Sequence, residues 1–144
     1  MDLKAPTRIM LSDDHAVVRR GLRNLLESRE NYEVCAEAGD GNLTLELAVQ
    51  LKPDILIMDI SMSPPSGLEV TAVLHQFLPE TKILIMTMHD SEEMLRAASA
   101  AGASGYLLKS DPEELLVVAL QRLGEGKCFV SPAFGQTLSE RLFQ

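Results

Sequence analysis

Four apolar runs in this chain stop on residues that can do chemistry. Arg8-Ile9-Met10-Leu11-Ser12 runs into Asp13-Asp14, and Ile55-Leu56-Ile57-Met58 stops at Asp59 with "ISMSPPSG" directly behind it. Lys82 to Met86 ends on Thr87, and Ala103 to Leu108 ends on Lys109. Brought together, these residues offer three carboxylates, a hydroxyl and an ammonium. Two unit charges ~4 Å apart interact by roughly 4 kcal/mol at an effective dielectric near 20. Three acids therefore repel one another, and Lys109 offsets only one charge. A divalent cation relieves the rest. Hard oxygen ligands, few in number, suit Mg²⁺ holding several waters, and Mn²⁺ should substitute. No His or Cys set of zinc-binding type is present.

A part-hydrated Mg²⁺ beside a carboxylate is a place for phosphate chemistry. Asp59 can attack phosphorus and form an aspartyl phosphate. The metal neutralises the phosphoryl oxygens as charge spreads in the transition state. Lys109 pairs with another oxygen, and Thr87 can donate to a third. The turn after Asp59 lets the backbone bend so that the Ser61 carbonyl reaches the metal.

The elements between these points must position them. After the first run, residues 15–29 carry Val18, Leu22 and Leu25 at helical spacing, with Val17, Gly21 and Leu26 alongside. Tyr32 to Ala38 alternates like a strand with one wetter face. "GDG" breaks it, and Leu43, Leu47 and Leu51 then form a helical stripe that Pro53 ends. Ile55 to Met58 is the third strand. Its helix shows Val70, Val73, Leu74 and Phe77, and Pro79 ends it. Lys82 to Thr87 is the fourth strand, followed by an Ala-rich helix over 91–101. The fifth strand is Ala103 to Leu108. Ser110 or Asp111 is expected to cap the last helix, which turns Leu115, Leu116, Ala119, Leu120 and Leu123 inward.

Five repeats of strand then helix imply a parallel sheet covered on both faces. Right-handed crossovers leave few topologies. The expectation is an α/β, doubly wound five-stranded parallel sheet of flavodoxin-like order, 2-1-3-4-5. All strands then share one C-terminal edge, and ligands bind outside that edge where the strand order reverses. Asp13, Asp14, Asp59, Thr87 and Lys109 all fall there.

The chain of 144 residues fits one domain. Its net charge of −8 argues against gripping DNA by itself, because phosphate binding needs clustered Lys and Arg. No apolar stretch approaches a membrane span, so no membrane partner is expected. The start, Met1 to Pro6, has no signal-peptide core, which makes the cytoplasm the expected compartment. Cys35 and Cys128 stand in no metal or redox spacing and read as unpaired structural thiols.

Four motifs in order, "IMLSDDHAVVRRGLRNLL", "PDILIMDISMSPPSGLE", "ILIMTMHD" and "GASGYLLKS", resemble the receiver domain of two-component response regulators over residues 7–124. The wording "DDH…RRGL", "TMHD" and "GYLLK" is most similar to the LuxR-type (NarL/FixJ) subgroup. There the receiver usually precedes a helix-turn-helix DNA-binding domain. The resemblance implies that Asp59 takes a phosphoryl group from a sensor histidine kinase. It implies that Asp14 binds Mg²⁺ directly, Asp13 mostly through water, and that the Ser61 carbonyl completes the protein ligands. Thr87 would shift toward the phosphoryl group, Tyr106 rotate inward, and Lys109 pair with phosphate. The change would pass through the face of the fourth helix, fifth strand and fifth helix, where a homodimer is expected. Ser61 and His89, each two residues past a key position, would tune the lifetime of the phosphoryl group. One departure is Ser63, which stands where the family places proline four residues after the acceptor; Pro64 and Pro65 follow, and Gly67 keeps its place.

Ordinary readings stand beside these. One of Asp13 and Asp14 would suffice as a helix cap. Thr87 suits a strand, Lys109 a strand end, and Tyr106 plain packing. His15 and His89 read as solvent-facing loop histidines. Residues 1–6 form an N-terminal extension and 7–127 the receiver. Residues 128–144 read as a linker or short helix after Ser131-Pro132, with any effector domain absent from this chain. DNA would be reached only through that domain. Two alternatives stay open: a stand-alone regulator acting by protein contact, and a metal-dependent phosphohydrolase. The second normally needs another Asp two residues after the nucleophile, and that position is Ser61.

Overall fold

A computed structural model describes residues 5–144; Met1 to Lys4, most of the expected extension, lie outside the described residues. The strands are β1 (Thr7–Ser12), β2 (Tyr32–Ala38), β3 (Ile55–Met58), β4 (Lys82–Thr87), β5 (Gly105–Leu108) and β6 (Phe129–Val130). The helices are α1 (Ala16–Glu27), α2 (Gly41–Leu51), α3 (Gly67–Phe77), α4 (Glu92–Ala101), α5 (Glu113–Gly124) and α6 (Gln136–Leu142). All strand pairs are parallel, in the order β2-β1-β3-β4-β5-β6. The doubly wound order 2-1-3-4-5 is as expected, with a sixth strand added. Phe129-Val130 is too short to show a periodicity. It forms because the outer edge of β5 offers unpaired backbone groups.

Alternation along the strands splits the core in two. Met10, Leu56, Met58, Ile83, Ile85 and Tyr106 face one way, against Ala48 of α2, Val70 and Leu74 of α3, and Leu95 and Ala98 of α4. Ile9, Leu11, Ile55, Ile57, Leu84 and Leu107 face the other, against Leu26 of α1 and Leu116, Ala119, Leu120 and Leu123 of α5.

Local chemistry sets the helix starts. Asp40 accepts from Leu43 N at 2.8 Å at the start of α2. Ser66 and Glu69 form a capping box on α3. Ser91 accepts from Met94 N on α4. The α5 start differs from expectation: Pro112 holds the cap position without a side-chain bond, and Asp111 turns back to accept from Leu108 N at 3.0 Å.

Two helix faces are rotated from the leucine stripes. In α2 the innermost residues are Gly41, Thr44 and Ala48, and Leu43 is exposed. A side chain at Gly41 would strike the Pro65 carbonyl, so this small-residue face can approach closely. Thr44 Oγ1 is also tied to Ser12 Oγ at 2.6 Å. In α3, Val70, Thr71 and Leu74 are buried, while Val73 and Phe77 are exposed. On α1, Val17 is 81% exposed.

The tail is more structured than a single helix. A 3-10 turn covers Pro132–Phe134, Gly135 breaks it with φ 79°, and α6 follows. The Pro64-Pro65 peptide bond is cis.

Candidate functional site

Register brings the expected residues to one edge. Ser12 pairs with Met58 across β1 and β3, and Asp59 N donates to Ser12 O at 2.9 Å. Asp13 and Asp59 therefore leave the sheet side by side. Thr87 pairs with Leu108, and Lys109 N donates to Thr87 O at 2.7 Å. This is where the chain has gone outward from β1 to β2 and then crossed to β3, the reversal point of a doubly wound sheet.

Asp13 and Asp59 are buried, 4% and 3% exposed. Asp14 lies in the open. The Lys109 ammonium donates to Asp13 Oδ2 at 2.9 Å and to Asp59 Oδ2 at 3.1 Å. Burial lowers the Lys109 pKa, but its hydrogen bonds and charge interactions with Asp13 and Asp59 outweigh that, and the net shift is upward. Asp59 Oδ1 accepts from Ser61 N at 3.0 Å, which folds the turn back over the acid.

Two neighbours stood out less in the sequence. His15 remains largely exposed, yet its ring is engaged. Nδ1 lies 2.9 Å from Asp14 Oδ1 and 3.2 Å from Asp13 Oδ1. Carboxylates only accept, so Nδ1 is the donor. Arg19 Nη1 donates to the Asp13 carbonyl at 2.6 Å and pins the β1–α1 turn from one helical turn on. For His15 the signal was adjacency to the acid pair; for Arg19 it was only its place in the "RRGL" wording, which names no contact.

The second rim is the turn after β4. Thr87 is fully buried, and its Oγ1 accepts from His89 N at 3.2 Å. An accepting hydroxyl keeps its hydrogen to donate elsewhere. His89 Nε2 is 3.1 Å from Ser61 Oγ, so His89 is not merely a solvent-facing loop residue. Tyr106, fully buried, donates from its hydroxyl to His89 O at 2.7 Å. Burial, with the charge of Asp90 added, pushes the Tyr106 phenol up to about 12.

The donor set suits a hard divalent cation. One ligand atom from each of Asp13, Asp14, His15 and Asp59 lies within 4.8 Å of the others. Three of the four are carboxylate oxygens, and one ammonium opposes three acids.

A parallel sheet that ends in this acid set, with a lysine bridging from its fifth strand, defines a class. The chain belongs to the response regulator receiver domain family, which matches residues 9–121. It falls with the LuxR-type receivers. It is 45% identical over 124 residues to the oxygen regulatory protein NreC of Staphylococcus haemolyticus, covering 85% of this chain and 57% of that protein. A LuxR-family two-component response regulator from an Aurantimonas species superposes with TM-score 0.88 at 39% identity, covering 95% of this chain and 98% of that one. The receiver domain of the response regulator NarL from Mycobacterium tuberculosis gives TM-score 0.82 at 30% identity, covering 86% and 100%. The chain spans a little over half the length of the curated relatives it matches. Among the described residues, no helix is long and apolar enough to cross a membrane.

Proposed function

We propose that this receiver is a phosphorylation switch in which Asp59 accepts a phosphoryl group from the phosphohistidine of a sensor kinase. The observation that carries the reading is the Asp59 carboxylate, buried, hydrogen-bonded to Lys109 and grouped with Asp13 and Asp14. An Asp59 oxygen attacks phosphorus as the phosphorus–nitrogen bond of the donor breaks, and the imidazole leaves. Asp14 and Asp59 would hold the cation, Asp13 would act mostly through water, and the Ser61 carbonyl would complete the protein ligands. When bound, Mg²⁺ or Mn²⁺ neutralises charge on the phosphoryl oxygens. Lys109 moves its ammonium from the Asp59 oxygen to a phosphoryl oxygen. Thr87 donates its free hydroxyl hydrogen to another. Tyr106, hydrogen-bonded to the turn that carries Thr87, senses the change and passes it to the α4-β5-α5 face, where the phosphorylated form pairs with a second copy.

Residues 7–127 act as the receiver, and 128–144 lead toward an effector. By the LuxR-type resemblance, that effector is a helix-turn-helix DNA-binding domain, so the whole protein regulates transcription in the cytoplasm. The receiver turns over no substrate beyond its own phosphoryl uptake and slow release.

Labelling from acetyl phosphate tests this. The expected result is at most one phosphoryl group per chain, dependent on Mg²⁺ and lost in Asp59→Asn. Normal labelling of Asp59→Asn would overturn the assignment. Repeated turnover of p-nitrophenyl phosphate would favour a phosphohydrolase instead.

A further inference from the structure

Both backbone groups of Asp13 are tied to the end of β2. Asp13 N donates to Ala38 O at 3.1 Å. Its carbonyl accepts from Arg19 Nη1 at 2.6 Å, and Arg19 Nε donates to Glu37 Oε1 at 3.1 Å. One planar guanidinium thus spans the acid turn and β2. The second Glu37 oxygen takes Arg23 Nε, and Arg23 reaches on to Glu27 at 3.2 Å. The Arg19 and Glu37 side chains are 20% and 27% exposed, so water competes for their bond less than at an open surface. Burial pushes the Glu37 carboxyl up, but its bonds to and charge interactions with Arg23 and Arg19 outweigh that, and its pKa is held below the usual value.

Glu37 faces α1 because β2 is irregular. The β1–β2 register runs from Ile9 with Val34 straight to Met10 with Ala36, so Cys35 is the extra residue of a bulge. Side chains alternate between the two faces of a strand. Before the bulge, Tyr32 and Val34 pack into the core layer of α1 and α5. After it, Ala36 and Ala38 belong to the layer of α2, α3 and α4. Glu37, between them, is turned to the α1 side, where Arg19 and Arg23 stand. Without the extra residue it would face α2.

The Asp13 carbonyl lies in the rigid plane of the peptide that joins Asp13 to Asp14. Holding that plane fixes where both carboxylates leave the backbone. We propose that Arg19, aimed by Glu37 across the β2 bulge, is a positioning residue of the acid site, setting the Asp13–Asp14 turn so that both carboxylates meet one cation. The inference rests on the reading of these acids as a cation site. Charge and position make opposite predictions here. As a charge alone, Arg19 repels a nearby cation; as a positioning group it favours cation binding.

Mn²⁺ titration by EPR on the full chain separates the two, with circular dichroism and urea denaturation showing that each variant is folded. Arg19→Met should bind Mn²⁺ about fivefold to tenfold more weakly, as when a partner of a metal ligand is lost. Arg19→Lys, which keeps the charge but loses the fork, should bind about threefold more weakly, and it alone decides if Arg19→Met does not fold. Glu37→Gln should weaken binding by itself yet add little in an Arg19→Met background; full additivity would overturn its action through Arg19. Arg20→Met removes an exposed charge one residue on and should bind as the wild type or more tightly. Equal or tighter binding by folded Arg19→Met or Arg19→Lys would overturn the positioning role, as would an equal loss in Arg20→Met. If the wild type binds no Mn²⁺, the cation site itself fails, and this inference with it.

Discussion

Lys109 and Asp59 lie on different strand ends, and the lysine ammonium stands 3.1 Å from the aspartate Oδ2 while also holding Asp13 at 2.9 Å. The lysine therefore occupies oxygens that an incoming cation must share. Lys109→Met should bind Mn²⁺ roughly threefold to tenfold more tightly, because three acids then lack an internal counterion. The same variant should lose phosphoryl uptake by about a hundredfold or more, since a charged donor to the transferring group is gone. Mn²⁺ titration by EPR and acetyl phosphate labelling read the two effects separately. Weaker Mn²⁺ binding would show that Lys109 organises the acids rather than competing for them.

Ser61 and His89 meet 3.1 Å apart beside the acceptor. An imidazole so placed can align water for attack on an aspartyl phosphate. His89→Ala should lengthen the phosphoryl lifetime by roughly tenfold. Ser61→Ala should act in the same direction. The double variant should add little, as expected of residues acting through one contact. Decay of labelled protein after removal of donor measures this, and equal decay rates for His89→Ala and the wild type would rule the pair out.

Gly67 begins α3 with its α-carbon tight against the turn after β3. A side chain there would strike the Asp59 carbonyl and the Ile60 α-carbon, both backbone groups that cannot swing aside. Gly67→Ala should destabilise the fold by about 2 kcal/mol. It should also slow phosphoryl uptake, because Asp59 shifts with its own backbone. Urea denaturation gives the first number. An unchanged midpoint would mean α3 can slide away freely.

The Tyr106 phenol, raised from 10.0 to about 12, ionises later in the folded chain than in the unfolded one. The unfolded state then loses its proton first, so stability falls as pH climbs from about 10 to about 12. Lys109, raised above 10.5, acts with the same sign: its contribution is full below that value and is lost as pH passes through its folded pKa. Tyr106→Phe should flatten part of the alkaline fall while lowering stability at neutral pH through the lost bond to His89. Denaturation curves at pH 8 through 11.5, with tyrosinate absorbance followed alongside, check both. An equally steep fall in the variant would assign the whole slope elsewhere.

The strand ends were legible because each apolar run stopped on a chemically distinct residue, and a parallel sheet leaves those stops no other common place. Asp13, Asp59, Thr87 and Lys109 follow from that logic alone. The contacts that complete the site were not. The Lys109 bridge to two acids depends on side-chain reach across three strands. The Ser61–His89 contact joins loops from different strands, and no local pattern couples them. Helix orientation was misleading where leucines mark a stripe but a smaller face packs closer, as Gly41, Thr44 and Ala48 do in α2. β6 left no trace, since two residues carry no period and pair only because β5 offers an edge.

That brief pairing governs how molecules meet side by side. With Phe129 and Val130 seated along Gly105 and Tyr106, the rim of β5 is partly closed to strands from a neighbour. The opposite rim, β2, carries the exposed Glu33, a charge that discourages lateral growth into fibres, while Glu37 is taken up by Arg19 and Arg23. A chain that lets go of β6 uncovers an apolar rim with no acidic guard. Self-association would then compete with any intended contact at high protein concentration.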